Sequence, residues 1–150
     1  MTGVNTLEGL IKLLDDNLTL QSSEIIDDTI YLHVTSALIE VKCPFCGTKS
    51  SRVHSYYERR FQDLPIQNMK TIIVLNNRKM FCDNPNCSHR TFAESFTFIK
   101  PKSKKTNRLI DEIISLSKNM SSVAAEKYLR KNVVKVGKST ICELLKKGQK

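Results

Sequence analysis

Four of the five cysteines fall in two short pairs, Cys43-Pro44-Phe45-Cys46 and Cys82-Asp83-Asn84-Pro85-Asn86-Cys87, with 35 residues between the pairs. An odd total argues against a complete disulfide framework. The chain opens without a basic start, an apolar stretch or a small-residue cleavage site, and it has no apolar run long enough to span a membrane. The expected location is therefore the cytoplasm, where paired thiols hold metal more often than they form disulfides. Four thiolates give zinc a closed tetrahedral shell of the structural type. Each pair suits a tight knuckle that aims both sulfurs at one point. Gly47 serves the first knuckle, where a side chain would crowd the turn, and Pro44 and Pro85 stiffen the two loops.

The expected ligands are thus Cys43, Cys46, Cys82 and Cys87, with zinc as the cofactor and strands between the knuckles completing a zinc ribbon. A redox Cys-x-x-Cys wants a helix start after its first cysteine, whereas Pro44 and Phe45 lead here into Gly47 and a Thr/Ser-rich turn. An iron–sulfur cluster takes the same four thiolates and stays open as an alternative. Catalytic zinc keeps one position free for water, which a full thiolate shell denies. His33, His54 and His89 are read as non-ligands, with His89, two residues past Cys87, the nearest rival. Cys142 reads as a small, half-buried apolar residue.

Hydrophobic residues make up 40% of the chain, enough for a packed core. Thr6 to Asp15 has the apolar spacing of a helix, through Leu7, Leu10, Ile11 and Leu14. Thr29 to Thr35 alternates as a half-buried strand. Strand-like segments follow at Arg52 to Tyr57, Phe61 to Leu64, Thr71 to Leu75 and Arg78 to Phe81, punctuated by Pro65 and Asn76-Asn77.

The net charge of +9 is unevenly spread. Residues 1–41 carry one Lys against seven Asp or Glu, residues 42–99 nine basic against four acidic, and residues 100–150 fourteen basic against four acidic. A basic C-terminal third behind an acidic arm points to a polyanion partner. On the ribbon, Arg52, Arg59, Arg60, Arg78, Lys79 and Arg90 add a basic surface interleaved with Tyr56, Tyr57 and Phe61, and Arg52, Arg59, Arg60, Arg78 and Lys79 are its expected DNA contacts.

Lys100-Pro101-Lys102-Ser103-Lys104-Lys105 has nothing apolar to bury and reads as a linker. Beyond it the spacing predicts three helices. The first, near 107–118, carries Leu109, Ile113 and Leu116 on one face. The second, capped by Ser121 or Ser122, turns Val123, Ala124 or Ala125, and Leu129 inward. After a turn from Asn132 to Gly137, Ser139 caps the third, with Ile141, Leu144 and Leu145 inward. Ala125, Leu129, Val136, Ile141 and Leu144 would form the core of a helix-turn-helix. The outward set of the last helix is Lys138, Thr140, Glu143, Lys146 and Lys147, with lysines for phosphates, and Ser139 and Thr140 at the helix start for phosphate or base edges. Gly137-Lys138-Ser139-Thr140 imitates the end of a nucleotide-binding loop, but that motif needs a glycine where Asn132 stands.

The ordered run Cys43-Pro44-Phe45-Cys46-Gly47, Arg52-Val53-His54-Ser55, Arg59 with Asp63-Leu64-Pro65, Arg78-Lys79-Met80-Phe81-Cys82 and Arg90-Thr91-Phe92-Ala93-Glu94 resembles the N-terminal zinc-finger region of the ISL-three family of bacterial insertion-sequence transposases. Thr106-Asn107-Arg108-Leu109 and the helices after it resemble the helix-turn-helix that follows in that family. Met80, where an arginine or an aromatic is expected, and a longer turn before the last helix depart from its pattern. The resemblance implies recognition of the terminal inverted repeats of an insertion sequence. In that family a later RNase H-like domain with an Asp-Asp-Glu metal triad cuts and joins DNA. That domain has no counterpart in these 150 residues, so no catalytic residue and no enzymatic activity are expected. Asp63 reads as a turn or hydrogen-bonding residue.

The expectation is therefore an α+β chain: an acidic helix/strand arm (1–41), a zinc ribbon of antiparallel strands with two cysteine knuckles (42–99), and a basic linker with a three-helix helix-turn-helix (100–150). It is expected to bind DNA in a bacterial cytoplasm, with no membrane contact and with homodimerisation left open. The alternative is a zinc-ribbon protein–protein adaptor or regulator.

Overall fold

The computed structural model describes residues 6–132 and 138–148, with side chains described over 8–131 and 139–146. The elements run α1 (Thr6–Leu14), β1 (Leu18–Ile26), β2 (Thr29–Ser36), β3 (Val41–Lys42), β4 (Lys49–Ser50), β5 (Val53–Ile66), β6 (Met69–Phe81), β7 (Thr91–Ala93), α2 (Asn107–Ser117), α3 (Ser122–Asn132) and α4 (Lys138–Gly148). The class is α+β. One sheet has the order β1-β2-β6-β5 with β7 added to β6, and β3 and β4 form a separate two-stranded sheet.

The four short strands expected between the knuckles are in fact two long ones, β5 and β6. They are joined by Gln67-Asn68, both with positive φ (50° and 65°). That is the backbone a two-residue type I′ hairpin turn demands. β1 and β2 are joined in the same way through Asp27 (48°) and Asp28 (62°). Neither expected break interrupts a strand. Pro65 sits in β5, an edge strand of its sheet, where a missing N–H is tolerated. Asn77 lies in the middle of β6, fully buried, its amide donating to the carbonyls of Arg78 (3.1 Å) and Glu94 (3.2 Å).

The chain divides into two compact units, each assembled from three separated segments. The first comprises residues 1–23, 32–60 and 74–97. In it, Glu8 of α1 accepts from the Thr19 hydroxyl and the Leu20 amide. Asp15, just past α1, is buried and accepts from the Thr97 amide and hydroxyl. Two acidic residues of the N-terminal arm therefore have structural partners. Of the apolar set expected on α1, Ile11 is buried, Leu14 half-buried and Leu10 exposed, while the Leu7 side chain lies outside the described residues.

The second unit comprises residues 24–31, 61–73 and 98–150. Leu109, Ile113, Ala125, Leu129 and Ile141 form its fully buried cluster, with Leu64, Leu116, Met120, Leu144 and Leu145 packed around it. Helices α2, α3 and α4 contact one another pairwise. The inward faces expected for α2 and α4 are found. On α3, Ala125 and Leu129 are inward and Val123 is exposed.

Thr106 caps α2, its hydroxyl accepting from the Leu109 amide (3.3 Å) and donating to Asp63 (2.7 Å). Arg108 forks onto the same carboxylate. The basic segment expected to be a plain linker is pinned as well: Lys105 bridges in parallel to Gln62, whose backbone bonds to Lys104 and Thr106. Ser121 caps α3 through the Ala124 amide. Ser139 is not a cap but the second residue of α4. The expected turn begins with the last residue of α3, and its residues 133–137, Val136 among them, lie outside the described residues.

Candidate metal centre

β3 leads into the first knuckle and β4 leads out of it. The Cys43 amide donates to the Thr48 carbonyl (2.9 Å) and the Gly47 amide to the Cys43 carbonyl (2.8 Å). Gly47 has φ +78°, and a Cβ there would meet no atom within 4 Å. Glycine is therefore favoured by the backbone angle, not by lack of space. The second knuckle leaves the end of β6, held by Cys82 N–H to the Arg90 carbonyl (2.8 Å), Cys87 N–H to the Asn84 carbonyl (3.1 Å) and Asn86 N–H to the Asn84 side chain (2.9 Å).

The four sulfurs of Cys43, Cys46, Cys82 and Cys87 lie within 4.8 Å of one another, with Cys46–Cys82 at 3.5 Å and Cys43–Cys87 at 4.0 Å. A tetrahedron with zinc–sulfur bonds of ~2.3 Å places its sulfurs ~3.8 Å apart, so the set fits the ion. Three of the sulfurs also accept from the amide two residues on: Cys46 from Thr48, Cys82 from Asn84 and Cys87 from His89. Such bonds orient the ligands and favour their ionised form.

The thiols do not ionise alike. Hydrogen bonds from the Thr48 hydroxyl and amide bring Cys46 down to about 6. For Cys82 the Asn84 amide pulls downward, but burial and the neighbouring sulfurs outweigh it and push the thiol up to about 12. Cys87 is raised in the same way against the His89 amide. Crowded thiolates oppose one another's ionisation, and a divalent cation among them removes that opposition.

Around the sulfurs, Cys43, Met80 and Phe92 are buried together, with Val41, Val53, Cys82 and Cys87 against them. Met80 and Phe92 are cross-strand partners on β6 and β7. Met80 thus packs an apolar side chain against the ligand cysteines. His89 is not a ligand; its ring stacks on Phe45 with centroids 3.5 Å apart and planes 6° off parallel. Arg52 ties the start of β5 to the second knuckle by donating to Asp83 (2.6 Å) while its guanidinium lies 4.9 Å from the Phe81 ring centre.

Residues 40–88, which hold all four cysteines, match the family model described as the zinc-finger of transposase IS204/IS1001/IS1096/IS1165. This segment is thus similar to a transposase zinc finger. No curated protein and no solved structure matches the chain. Family and geometry agree on zinc as the ion that Cys43, Cys46, Cys82 and Cys87 bind.

The basic residues expected around the ribbon meet different fates. Arg78 is corrected: instead of facing a ligand it is buried, its Nε and Nη2 forking onto Glu94 (2.8 and 2.9 Å), with Nη2 also reaching the Ser36 hydroxyl (3.0 Å) and the Leu38 carbonyl (2.8 Å). Its charge is needed to neutralise a carboxylate that is itself 1% exposed. Arg60 pairs with Glu58 on the surface (3.0 Å) and Arg59 is half-buried, whereas Lys79 is exposed. On α4, Ser139, Glu143 and Lys146 are exposed and Thr140 is half-buried; the side chains of Lys138 and Lys147 lie outside the described residues. Cys142, half-buried as expected, has its sulfur 3.4 Å from the Ser122 hydroxyl. No described helix is long and apolar enough to cross a membrane.

Proposed function

We propose that the chain binds DNA, with the zinc ribbon as one contact surface and α2–α4 as a helix-turn-helix, in the manner of the end-recognition part of a transposase. The observation that carries this reading is the match of residues 40–88 to a transposase zinc finger, in a chain whose last 51 residues hold fourteen basic side chains against four acidic ones. Exposed Lys79 on the ribbon, and Lys100, Lys102, Lys104, Lys127 and Lys131 in the second unit, supply cations that can displace counterions from a duplex. Ser139, Thr140 and Glu143, in the first two turns of α4, are the side chains offered to base edges, with Lys146 as a phosphate anchor. The proposed target is the terminal inverted repeat of an insertion element.

We further infer that these 150 residues cut no DNA by themselves. Strand transfer on two metal ions needs several carboxylates at one point. Among the described residues the cysteines are the group gathered for a metal. Asp63 is bound to Thr106 and Arg108. Metal-dependent nicking by the pure protein, abolished by one Asp or Glu substitution, would overturn this inference.

The test of DNA binding is affinity for a terminal-repeat duplex and a scrambled duplex across a series of salt concentrations. The expected result is a linear fall of log K with log salt, and a residual preference for the repeat when Lys146→Gln weakens both alike. Absence of salt-dependent binding would transfer the role to a protein–protein adaptor.

A further inference from the structure

The short pairing of β3 with β4 sets Val41 opposite Ser50 and Lys42 opposite Lys49. Directly opposed side chains on one face of an antiparallel pair start from Cβ atoms roughly 4.5–5.5 Å apart, and like charges placed there are destabilising. Both lysines are exposed. Among the described residues neither has a carboxylate partner, whereas Arg52, Arg60 and Arg78 are engaged by Asp83, Glu58 and Glu94. The ribbon therefore neutralises these three arginines and leaves a forced pair of like charges open to solvent.

Both lysines adjoin the hydrogen bonds that close the first knuckle. Lys42 immediately precedes the ligand Cys43, and the Cys43 amide closes on the Thr48 carbonyl next to Lys49. Two ammonium groups on flexible stems above a metal-fixed base match a single tetrahedral oxyanion, with lysine acting as a point charge.

We propose that Lys42 and Lys49 form a two-pronged clamp for one backbone phosphate of a DNA duplex, at the base of the first zinc knuckle. This rests on the DNA-binding reading and adds a site outside α4 and the ribbon arginines. The competing role for the same lysines is to offset the dianionic charge of a zinc bound by four thiolates. The two roles predict opposite behaviour of the metal.

The experiment uses the full chain with zinc bound, as wild type, Lys42→Gln, Lys49→Gln and the double variant. Affinity for a short duplex is measured at several salt concentrations, and zinc retention by competition with a chelator. Each single variant is expected to bind several-fold more weakly. The double variant should lower the salt slope by about 0.9, the value of one phosphate, with zinc retention unchanged or improved. A slope loss of about twice that would mean two independent anchors and overturn the clamp. Weaker zinc retention in step with weaker DNA binding would assign the lysines to the metal. Unchanged affinity in all variants, with wild type still binding in a salt-dependent way, removes the clamp and leaves the DNA reading standing. No binding by wild type removes both.

Discussion

The cysteine knuckles and the helical cluster reach a fixed structure by different physics. Around the knuckles, the buried cluster of Cys43, Met80 and Phe92 is small, and the segments meeting there are held by four sulfurs and a buried ion pair. In the helical unit, a contiguous cluster of five fully buried aliphatic side chains does the same work with no metal. The difference teaches how to read each kind of sequence. A metal-fixed segment reveals itself by ligand spacing and tolerates poor apolar patterning. A core-fixed segment reveals itself by apolar period.

Zinc removal should divide the units most sharply. Structural zinc sites contribute on the order of 10 kcal/mol or more to folding. Cys82→Ser, or chelation of the wild type, is expected to abolish the metal and unfold the ribbon while the helical far-ultraviolet signal persists. Elemental analysis and circular dichroism read both effects, and loss of helix in step with zinc would break the comparison. Glu94→Ala comes next, since it strands the buried Arg78 guanidinium. Breaking such a pair costs roughly 3–5 kcal/mol, visible as a lowered urea midpoint and faster zinc release.

Leu129→Ala empties a fully buried position in the helical unit and should cost about 3 kcal/mol. Its zinc retention should match wild type; a loss equal to that of Glu94→Ala would show that the units are not separately stabilised. Asp63→Ala breaks the corresponding ion pair of the second unit. Arg108 keeps 40% of its side chain exposed, so water partly replaces the lost carboxylate, and the cost should be nearer ~2 kcal/mol. Smallest is the hairpin turn. Gln67 and Asn68 both occupy positive φ, a region that strains side-chain-bearing residues by ~1 kcal/mol or more. Replacing them with Asn-Gly is expected to raise stability by about 1 kcal/mol, read as a higher thermal midpoint with zinc binding unchanged.

Legibility in the sequence followed the range of the interactions. The four ligands, β2 and the faces of α2 and α4 come from spacing within one segment, and they stand where the residues place them. β1 carries no alternation, because all but its first three residues are exposed, so nothing marks it as a strand. The two hairpin turns lack glycine and hide as Asp-Asp and Gln-Asn. Asn77 looks like a break because its partners, the carbonyls of Arg78 and Glu94, include one 17 residues further on. Arg78 resembles a surface cation until Glu94 is brought beside it by the pairing of β6 and β7. Lys42 and Lys49 did have a signal, since they bracket the first knuckle at positions a closing hairpin must set face to face.

The bond from Thr106 to Asp63 bears on how such a protein can be cut or exchanged. A fragment starting at Lys100 would carry all three helices but leave behind the carboxylate that receives Arg108 and Thr106, the Leu64 side chain against the helical cluster and the Gln62 backbone that pins Lys104 to Thr106. Recombination that swapped only the C-terminal tail between relatives would therefore deliver helices without their seat. The transplantable unit is discontinuous: the tail travels well only with the tip of the β5–β6 hairpin, inherited from the middle of the chain.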